Sequence, residues 1–230
     1  MGRRHTPKAF RHIVRLNDPG YLSIVLTKKR ISIFPLPGAI LLPGMQLPLH
    51  IFEPRYRALI SDALARDRLI GMIQPKERSD NPELFAIGCL GRIDDVEAME
   101  DGRYNIVLDG MQRFNILKEL KVDTEFRQVE AELWEEEELG EALSIAERAA
   151  LEIESRKFAD AQGYAVDWNS VTQLDDYSLV NAIAQIAPFD SAAKQALLEA
   201  RGLSVRSELI IQLMEFFGRH DGNENRVTLQ

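Results

Sequence analysis

The sequence predicts an α+β protein in which a β-rich half precedes a helical half. Three observations support this fold class: an uncharged segment over residues 31–52 that is interrupted by prolines, alternation of apolar and polar residues between about 85 and 134, and apolar residues at helical spacing after 139. After a run of glutamates at 135–138, the spacing of apolar residues changes from every second residue to the helical period of about 3.6. We therefore predict a small closed or half-closed barrel over 31–135 and a helical bundle over 139–218. A basic extension over 1–30 and a flexible tail over 219–230 flank these two parts.

The segment over residues 31–52 contains no Asp, Glu, Lys or Arg. A membrane helix is excluded here, because prolines remove backbone donors where lipid supplies no substitute. Two extended pieces, 31–35 and 46–52, with turns between them, are the remaining interpretation. They either pack into a core or stay partly open as a groove of peptide size. The interrupting residues are Pro35, Pro37, Pro43 and Pro48.

The rest of the β-rich half contains one helix and several strands. Proline is favoured at the first helical position, so Pro54 predicts a helix start, with Glu53 placing negative charge at the positive end of the helix dipole. Residues 69–74 are typical of a buried strand. Asp-Gly pairs at 101–102 and 109–110 favour hairpin turns, which predicts three antiparallel strands over about 91–100, 103–108 and 111–120, followed by a further strand within 125–134. The inward face of the helix is predicted to carry Tyr56, Leu59, Ile60, Ala63 and Leu64.

Four helices are predicted in the second half. The first is long and ends near Gly163, and the second is stopped by Pro188. Asp190 caps the third, which closes at Gly202. Ser204 caps the fourth, with residues 216 and 217, both phenylalanine, pointing inward.

Composition limits the classes of function. The net charge is −8, but residues 1–30 hold eight Lys or Arg against one acid, and the remaining 200 hold 20 against 35. An acidic body repels phosphate backbones, so nucleic-acid binding is unfavoured except through the basic extension. The single cysteine, Cys89, allows no intrachain disulfide and too few thiols for a usual zinc site, which favours a reducing compartment and predicts a cytoplasmic protein. No signal peptide or membrane span is predicted, and no pattern indicates an oligomeric state.

The sequence predicts no catalytic residue, no metal site and no cofactor. No Gly-x-x-x-x-Gly-Lys-Ser/Thr motif is present. Ser191 and Lys194 have the spacing of a serine–lysine pair, but a helix start capped by Asp190 explains both residues without chemistry. His50 and Glu53 are three residues apart, and the sequence nearby supplies no second histidine for a metal triad.

Two groups of motifs resemble a known family. Residues 34–44 (FPLPGAILLPG) and 47–60 (LPLHIFEPRYRALI) resemble the opening of the Lon protease amino-terminal substrate-binding domain. Residues 88–92 and 101–110, followed by Arg113-Phe114, resemble its later motifs. The resemblance implies a pseudo-barrel related to the PUA fold, joined to a helical bundle, of the stand-alone bacterial type. In the full protease this unit recognises damaged or unfolded polypeptide and precedes ATPase and serine–lysine peptidase modules, which the sequence lacks.

The leading functional prediction is therefore a non-catalytic module that binds unfolded or exposed apolar polypeptide segments, with a protease or chaperone as a candidate partner. For each apolar candidate, core packing is the competing interpretation. An RNA-binding PUA-like module and a scaffold or adaptor protein are the alternative functions. Candidate binding residues are Leu36, Leu41, Leu42, Pro48, Phe52 and Tyr56, with Arg55 or Arg113 at the rim for carbonyls or carboxylates of the bound chain.

Overall fold

The computed structural model describes residues 28–135 and 141–224, with side chains to 218. Its first half contains β1 (Lys28–Pro35), β2 (Gln46–Ile51), α1 (Pro54–Leu64), β3 (Leu69–Ile73), β4 (Ile87–Ala98), β5 (Tyr104–Leu120) and β6 (Gln128–Leu133). Its second half contains α2 (Ile145–Gln162), α3 (Trp168–Val171), α4 (Asp176–Ile186), α5 (Ser191–Glu199) and α6 (Leu203–Glu224). The predicted α+β class is confirmed. The basic extension lies outside the described residues up to position 27, as does the tail beyond 224.

The sheet closes on itself through the long strand β5. The strand order is β2-β5-β4-β3-β1-β6, and an additional pairing between β5 and β6 joins the last strand back to the second. One side of β5 pairs with β4, while the other pairs first with β2 and then with β6. Strand β2 pairs only with β5 in the described sheet, so it is an edge strand, a position that tolerates Pro48 because proline has no N–H for a second ladder.

The interior of the ring is filled around Phe114, which is fully buried. The β1–β3 pairing is parallel and the other ladders are antiparallel. A Cβ at Gly88 would lie 2.6 Å from the Phe114 ring and also against the Met72 carbonyl, so glycine lets β4 pass close to the ring. The other interior side chains are Ile31, Ile33, Ile73, Leu90, Val129 and Ala131.

The prediction of a hairpin turn at Asp109-Gly110 is wrong, because β5 runs without interruption through both residues. Gly110 donates its N–H to the Met45 carbonyl at 2.8 Å and accepts from the Gly44 N–H at 2.8 Å. A Cβ at Gly110 would overlap the Leu42 carbonyl, so the glycine is required by a close approach of two backbones. The other predicted turn is confirmed: Gly102 has φ +80 and donates to the Met99 carbonyl.

A second, larger core joins the barrel to the helices. The two predicted parts therefore share this apolar layer, in addition to the barrel interior around Phe114. Hydrogen bonds cross the same boundary: the Tyr177 hydroxyl donates to the Pro43 carbonyl at 2.7 Å, and Gln185 Nε2 donates to the Gln46 carbonyl at 2.7 Å. The layer includes Leu41, Leu42, Leu59 and Ile60 from the first half and Leu151, Val180, Leu197 and Ile210 from the second.

The helix boundaries follow local capping chemistry in most places. Helix α2 ends at Gly163 in the left-handed region, and the Asp190 side chain accepts from the Ala193 N–H to cap α5, both as predicted. The sequence predicts Ser204 as a cap, but α6 begins at Leu203, so Ser204 lies inside the first turn of the helix. Short helix α3 was not predicted.

Two further details of α6 differ from the prediction. Phe216 is 55% exposed instead of pointing inward, while Phe217 is partly buried against the core. The helix also continues to Glu224, beyond the predicted end of the bundle at 218. Across the described residues, none of the helices has both the length and the apolar composition that a bilayer crossing requires.

Candidate functional site

A cleft of about 370 Å³ opens at the end of the barrel where β1 and β3 finish. Four segments enclose it: the turn after β1, the start of α1, the loop over residues 75–82, and residues 125–127 ahead of β6. We call it the proline-walled cleft, because four of the residues that line it are proline. Its volume lies near the lower end of the range for small-ligand pockets, about 300–1,000 Å³. The apolar lining consists of Pro35, Leu36, Pro37, Tyr56, Pro75, Pro82 and Phe126.

The floor of the cleft is fixed by contacts with the barrel. The Leu36 N–H donates to the Ile73 carbonyl at 3.0 Å, which continues the β1–β3 pairing one residue beyond the strand. The Tyr56 hydroxyl donates to the Pro35 carbonyl at 3.2 Å, and its ring meets Phe34 edge-on with centroids 4.4 Å apart. Burial raises the pKa of the Tyr56 phenol above its ordinary value. The floor is therefore neutral, apolar and held in place before any ligand arrives.

Two arginines hold the walls of the cleft together. Arg55 pairs with Glu53 at 2.9 Å and directs a second nitrogen to the Asp80 carbonyl at 3.4 Å. Arg127 forms a two-pronged ion pair with Glu119 at 2.7 Å and donates to the Pro82 carbonyl at 2.8 Å. These hydrogen bonds from Arg127 lower the pKa of the Glu119 carboxyl. Both guanidinium groups thus connect an acidic side chain to the loop over 75–82.

The structure brings together three of the predicted binding residues: Leu36, Arg55 and Tyr56 all line the proline-walled cleft. Pro48 and Phe52 are exposed, Phe52 to 60%, but neither residue is part of that lining.

For the other three predicted residues, the structure requires a correction. Leu41, Leu42 and Arg113 are each at most 1% exposed, so they have no surface to offer a bound chain. Leu41 and Leu42 belong to the shared core, where core packing was the competing interpretation. Arg113 lies with its guanidinium carbon 5.5 Å from the centre of the Trp134 ring, and not at a rim.

Sequence reasoning missed the far wall of the cleft. Pro75, Pro82, Phe126 and Arg127 line it, and none of them is among the predicted binding residues. The two prolines that bound this loop were an available signal, because each fixes φ and so stiffens the loop at both ends. Nothing local indicated that the loop meets the turn after β1.

Of the remaining chemical candidates, Glu53 lines the cleft as the partner of Arg55, whereas His50 and Lys194 lie outside its lining. His50 Nδ1 lies 2.7 Å from Asn105 Oδ1, which agrees with a hydrogen-bonded residue at a strand end. Lys194 directs its ammonium to the Gln185 carbonyl at 3.1 Å, and burial lowers its pKa. Within the residues described, no cluster of three or more His, Cys, Asp or Glu side chains could hold a metal ion.

The closed sheet, the packed helices and a cleft with an apolar floor at the barrel end define an α+β module of barrel-and-bundle type. A model of the family described as the ATP-dependent protease La (LON) substrate-binding domain matches residues 30–215. Because this match covers most of the chain, the chain belongs to that family, and the predicted resemblance is confirmed.

Curated relatives and solved structures agree with this assignment. Lon protease 2 of Myxococcus xanthus is 26% identical over 208 residues, covering 85% of this chain and 24% of that protein. Lon protease of Escherichia coli K12 is 26% identical over 199 residues, covering 80% of this chain and 24% of that protein. The chain therefore spans about a quarter of the length of these relatives.

Two solved structures share the fold. A Lon N-terminal domain protein from Xanthomonas campestris superposes with a TM-score of 0.60 at 20% identity, covering 80% of this chain and 98% of that one. The N-terminal domain of Mycobacterium avium complex Lon protease gives 0.57 at 20% identity, covering 81% and 98%. At this identity the likeness establishes the fold alone.

Proposed function

We propose that the chain is a non-catalytic recognition module that binds exposed apolar segments of unfolded or partly unfolded proteins in the proline-walled cleft. The observation that carries the proposal is the cleft itself: a concave surface with an apolar floor and a charged rim, in a chain of the Lon substrate-binding domain family. The matched relatives are named Lon proteases, so a protease is the first candidate for a partner that acts on the bound chain, and a chaperone is the second.

The chemistry of the cleft suits a short apolar segment. Its rigid proline walls lose little conformational freedom on binding, which lowers the free-energy cost of association. Burial of one leucine or phenylalanine side chain contributes about 1.5–3 kcal/mol. Two such side chains contribute about 3–6 kcal/mol, and the cost of ordering the bound segment reduces that sum, so we expect a Kd of about 1 mM, equivalent to about −4 kcal/mol. Weak binding of this kind suits a module that samples many different chains.

The test is fluorescence anisotropy with a labelled peptide that has Leu-Phe-Leu at its centre and only Ser and Gly on either side. The substitution Asn81→Trp places a large side chain on the exposed rim of the cleft without altering the core. Leu36→Asp places a charge on the floor. An apolar side chain of the peptide would then have to remove water from this carboxylate on binding, which is unfavourable. Each change is expected to weaken peptide binding at least about tenfold, equivalent to 1.4 kcal/mol.

The matched control is Asn169→Trp, which adds the same side chain at an exposed position on α3, outside the cleft lining. It should bind the peptide as the unmodified chain does. Circular dichroism and thermal unfolding of all variants separate loss of binding from loss of fold. Unchanged affinity in Asn81→Trp and in a folded Leu36→Asp variant would overturn the assignment of the cleft.

A further inference from the structure

We propose that the proline-walled cleft discriminates by charge, and that it prefers apolar segments flanked by lysine or arginine over the same segments flanked by acids. This inference rests on the proposed function, since it names the class of polypeptide that the same cleft takes. It depends on a count of which charges at the cleft are already paired and which remain.

The positive charges that line the cleft are largely neutralised by the protein itself. Arg55 is paired with Glu53, and Arg127 is paired with Glu119 in a two-pronged contact. Both guanidinium groups also donate to carbonyls of the loop over 75–82. An acidic ligand would have to compete for donors that already have a carboxylate and a carbonyl as partners, and breaking those contacts would release the wall.

The negative charges of the cleft are in excess once these pairs are set aside. Glu77, Asp80 and Glu125 line the opening together with one further cation, Arg78. All four residues are exposed. The Glu77 carboxylate accepts the Glu83 N–H at 2.7 Å, a bond that leaves its charge in place. Three carboxylates against one guanidinium leave a local excess of negative charge around an apolar floor.

The long-range field has the same sign. The chain carries 36 Asp and Glu against 28 Lys and Arg, and residues 31–230 alone hold 35 acids against 20 basic residues. A clustered net charge attracts oppositely charged ligands and repels like-charged ones over about a Debye length, roughly 10 Å at 0.1 M salt. A segment with cations beside its apolar residues therefore makes apolar contacts with the floor and is attracted to the acidic rim. An acidic segment makes the same apolar contacts but is repelled by the rim.

Three labelled peptides test the inference: the neutral Leu-Phe-Leu peptide, a version with two lysines on each side, and a version with two glutamates on each side. Because exposed ion pairs contribute little individually, we expect the lysine peptide to bind about three- to tenfold more tightly than the neutral one at 50 mM salt, and the glutamate peptide to bind more weakly. The difference should shrink strongly at 0.5 M salt. The neutral peptide should change little.

Variants assign the preference to the cleft. Asp80→Asn combined with Glu125→Gln should remove most of the lysine preference, measured as the ratio of the Kd values for the neutral and lysine peptides, and Arg78→Gln should increase that ratio. The matched control is Asp94→Asn with Asp95→Asn, which removes the same charge from exposed positions of β4 outside the lining. That control should keep the preference.

The outcomes separate the two proposals. Equal binding of all three peptides, with loss of binding in Asn81→Trp, would overturn charge discrimination and leave the recognition function standing. An equal loss of preference in the cleft variants and in the β4 control would assign the effect to net charge and would also overturn the inference. Failure of every peptide to bind would overturn both proposals.

Discussion

Two stretches of the same uncharged segment have opposite surroundings. Ile40, Leu41 and Leu42 are at most 2% exposed and form part of the core shared with the helices. Pro48 and Phe52, a few residues further on, are exposed, Phe52 to 60%, although Ile51 between them is buried in the same core. Both stretches are apolar and contain no charge, so composition alone assigns them the same environment.

The difference arises from how far the rest of the chain encloses each stretch. The backbone at Leu42 lies directly against Gly110, and the next residue, Pro43, accepts a hydrogen bond from Tyr177 of α4. The later stretch forms edge strand β2 and the turn into α1, where one side has no neighbouring strand in the described sheet. An uncharged segment therefore predicts contact with something apolar, but whether that is the core or a ligand depends on distant parts of the chain.

The largest expected effect separates these two stretches. Leu42→Ala leaves a cavity in the shared core and should lower the free energy of unfolding by about 2–5 kcal/mol. Phe52→Ala removes an exposed side chain and should change it by no more than about 0.5 kcal/mol. Urea unfolding followed by circular dichroism measures both variants. Similar losses in the two variants would contradict the contrast in packing.

The sequence predicted those elements whose signals are local. Pro54 at the first helical position and the spacing of Tyr56, Leu59 and Ile60 define α1, and the structure begins the helix at Pro54 with these side chains buried. A proline or a capping residue constrains only the backbone of its nearest neighbours. Its effect can therefore be predicted from a short piece of sequence alone.

Predictions from local sequence were wrong where the environment of a residue is set by a part of the chain that is distant in sequence. Asp109-Gly110 has the composition of a hairpin turn, but its glycine is there because the Leu42 backbone passes close by. The cleft is of the same kind, since Arg127 reaches the Pro82 carbonyl across 45 residues of sequence. Arg113 is predicted at a rim, where it would meet carbonyls or carboxylates of a bound chain, yet it is buried with its guanidinium group over the Trp134 ring. In each case the residue type was informative, but the local sequence does not show which distant residues lie next to it in the fold.

A smaller effect is expected at the hydrogen bond that anchors the buried stretch. Tyr177→Phe removes the hydroxyl that donates to the Pro43 carbonyl, which should lower the free energy of unfolding by about 0.5–1.5 kcal/mol. Tyr164→Phe, at a tyrosine that is 49% exposed, is the matched control and should have almost no effect. Chemical unfolding curves compare the two variants. If the control lost as much stability as Tyr177→Phe, the hydroxyl would not be an anchor of the segment.

The smallest effect concerns Tyr56, which lies between the core and the cleft. Burial raises the pKa of its phenol, so the folded chain retains the proton at pH values where the unfolded chain, with a pKa of about 10, releases it. The contribution of this group to stability is therefore complete below pH 10 and decreases as the pH rises through the folded-state value. Tyr56→Phe should remove that part of the alkaline loss, whereas Tyr164→Phe should keep it. Urea unfolding at pH 8, 10 and 11 gives the slope of the unfolding free energy against pH for the unmodified chain and for each of the two variants. Identical slopes for Tyr56→Phe and the unmodified chain would mean that the cleft floor is as hydrated as the exposed stretch at Phe52, which would break the contrast between them.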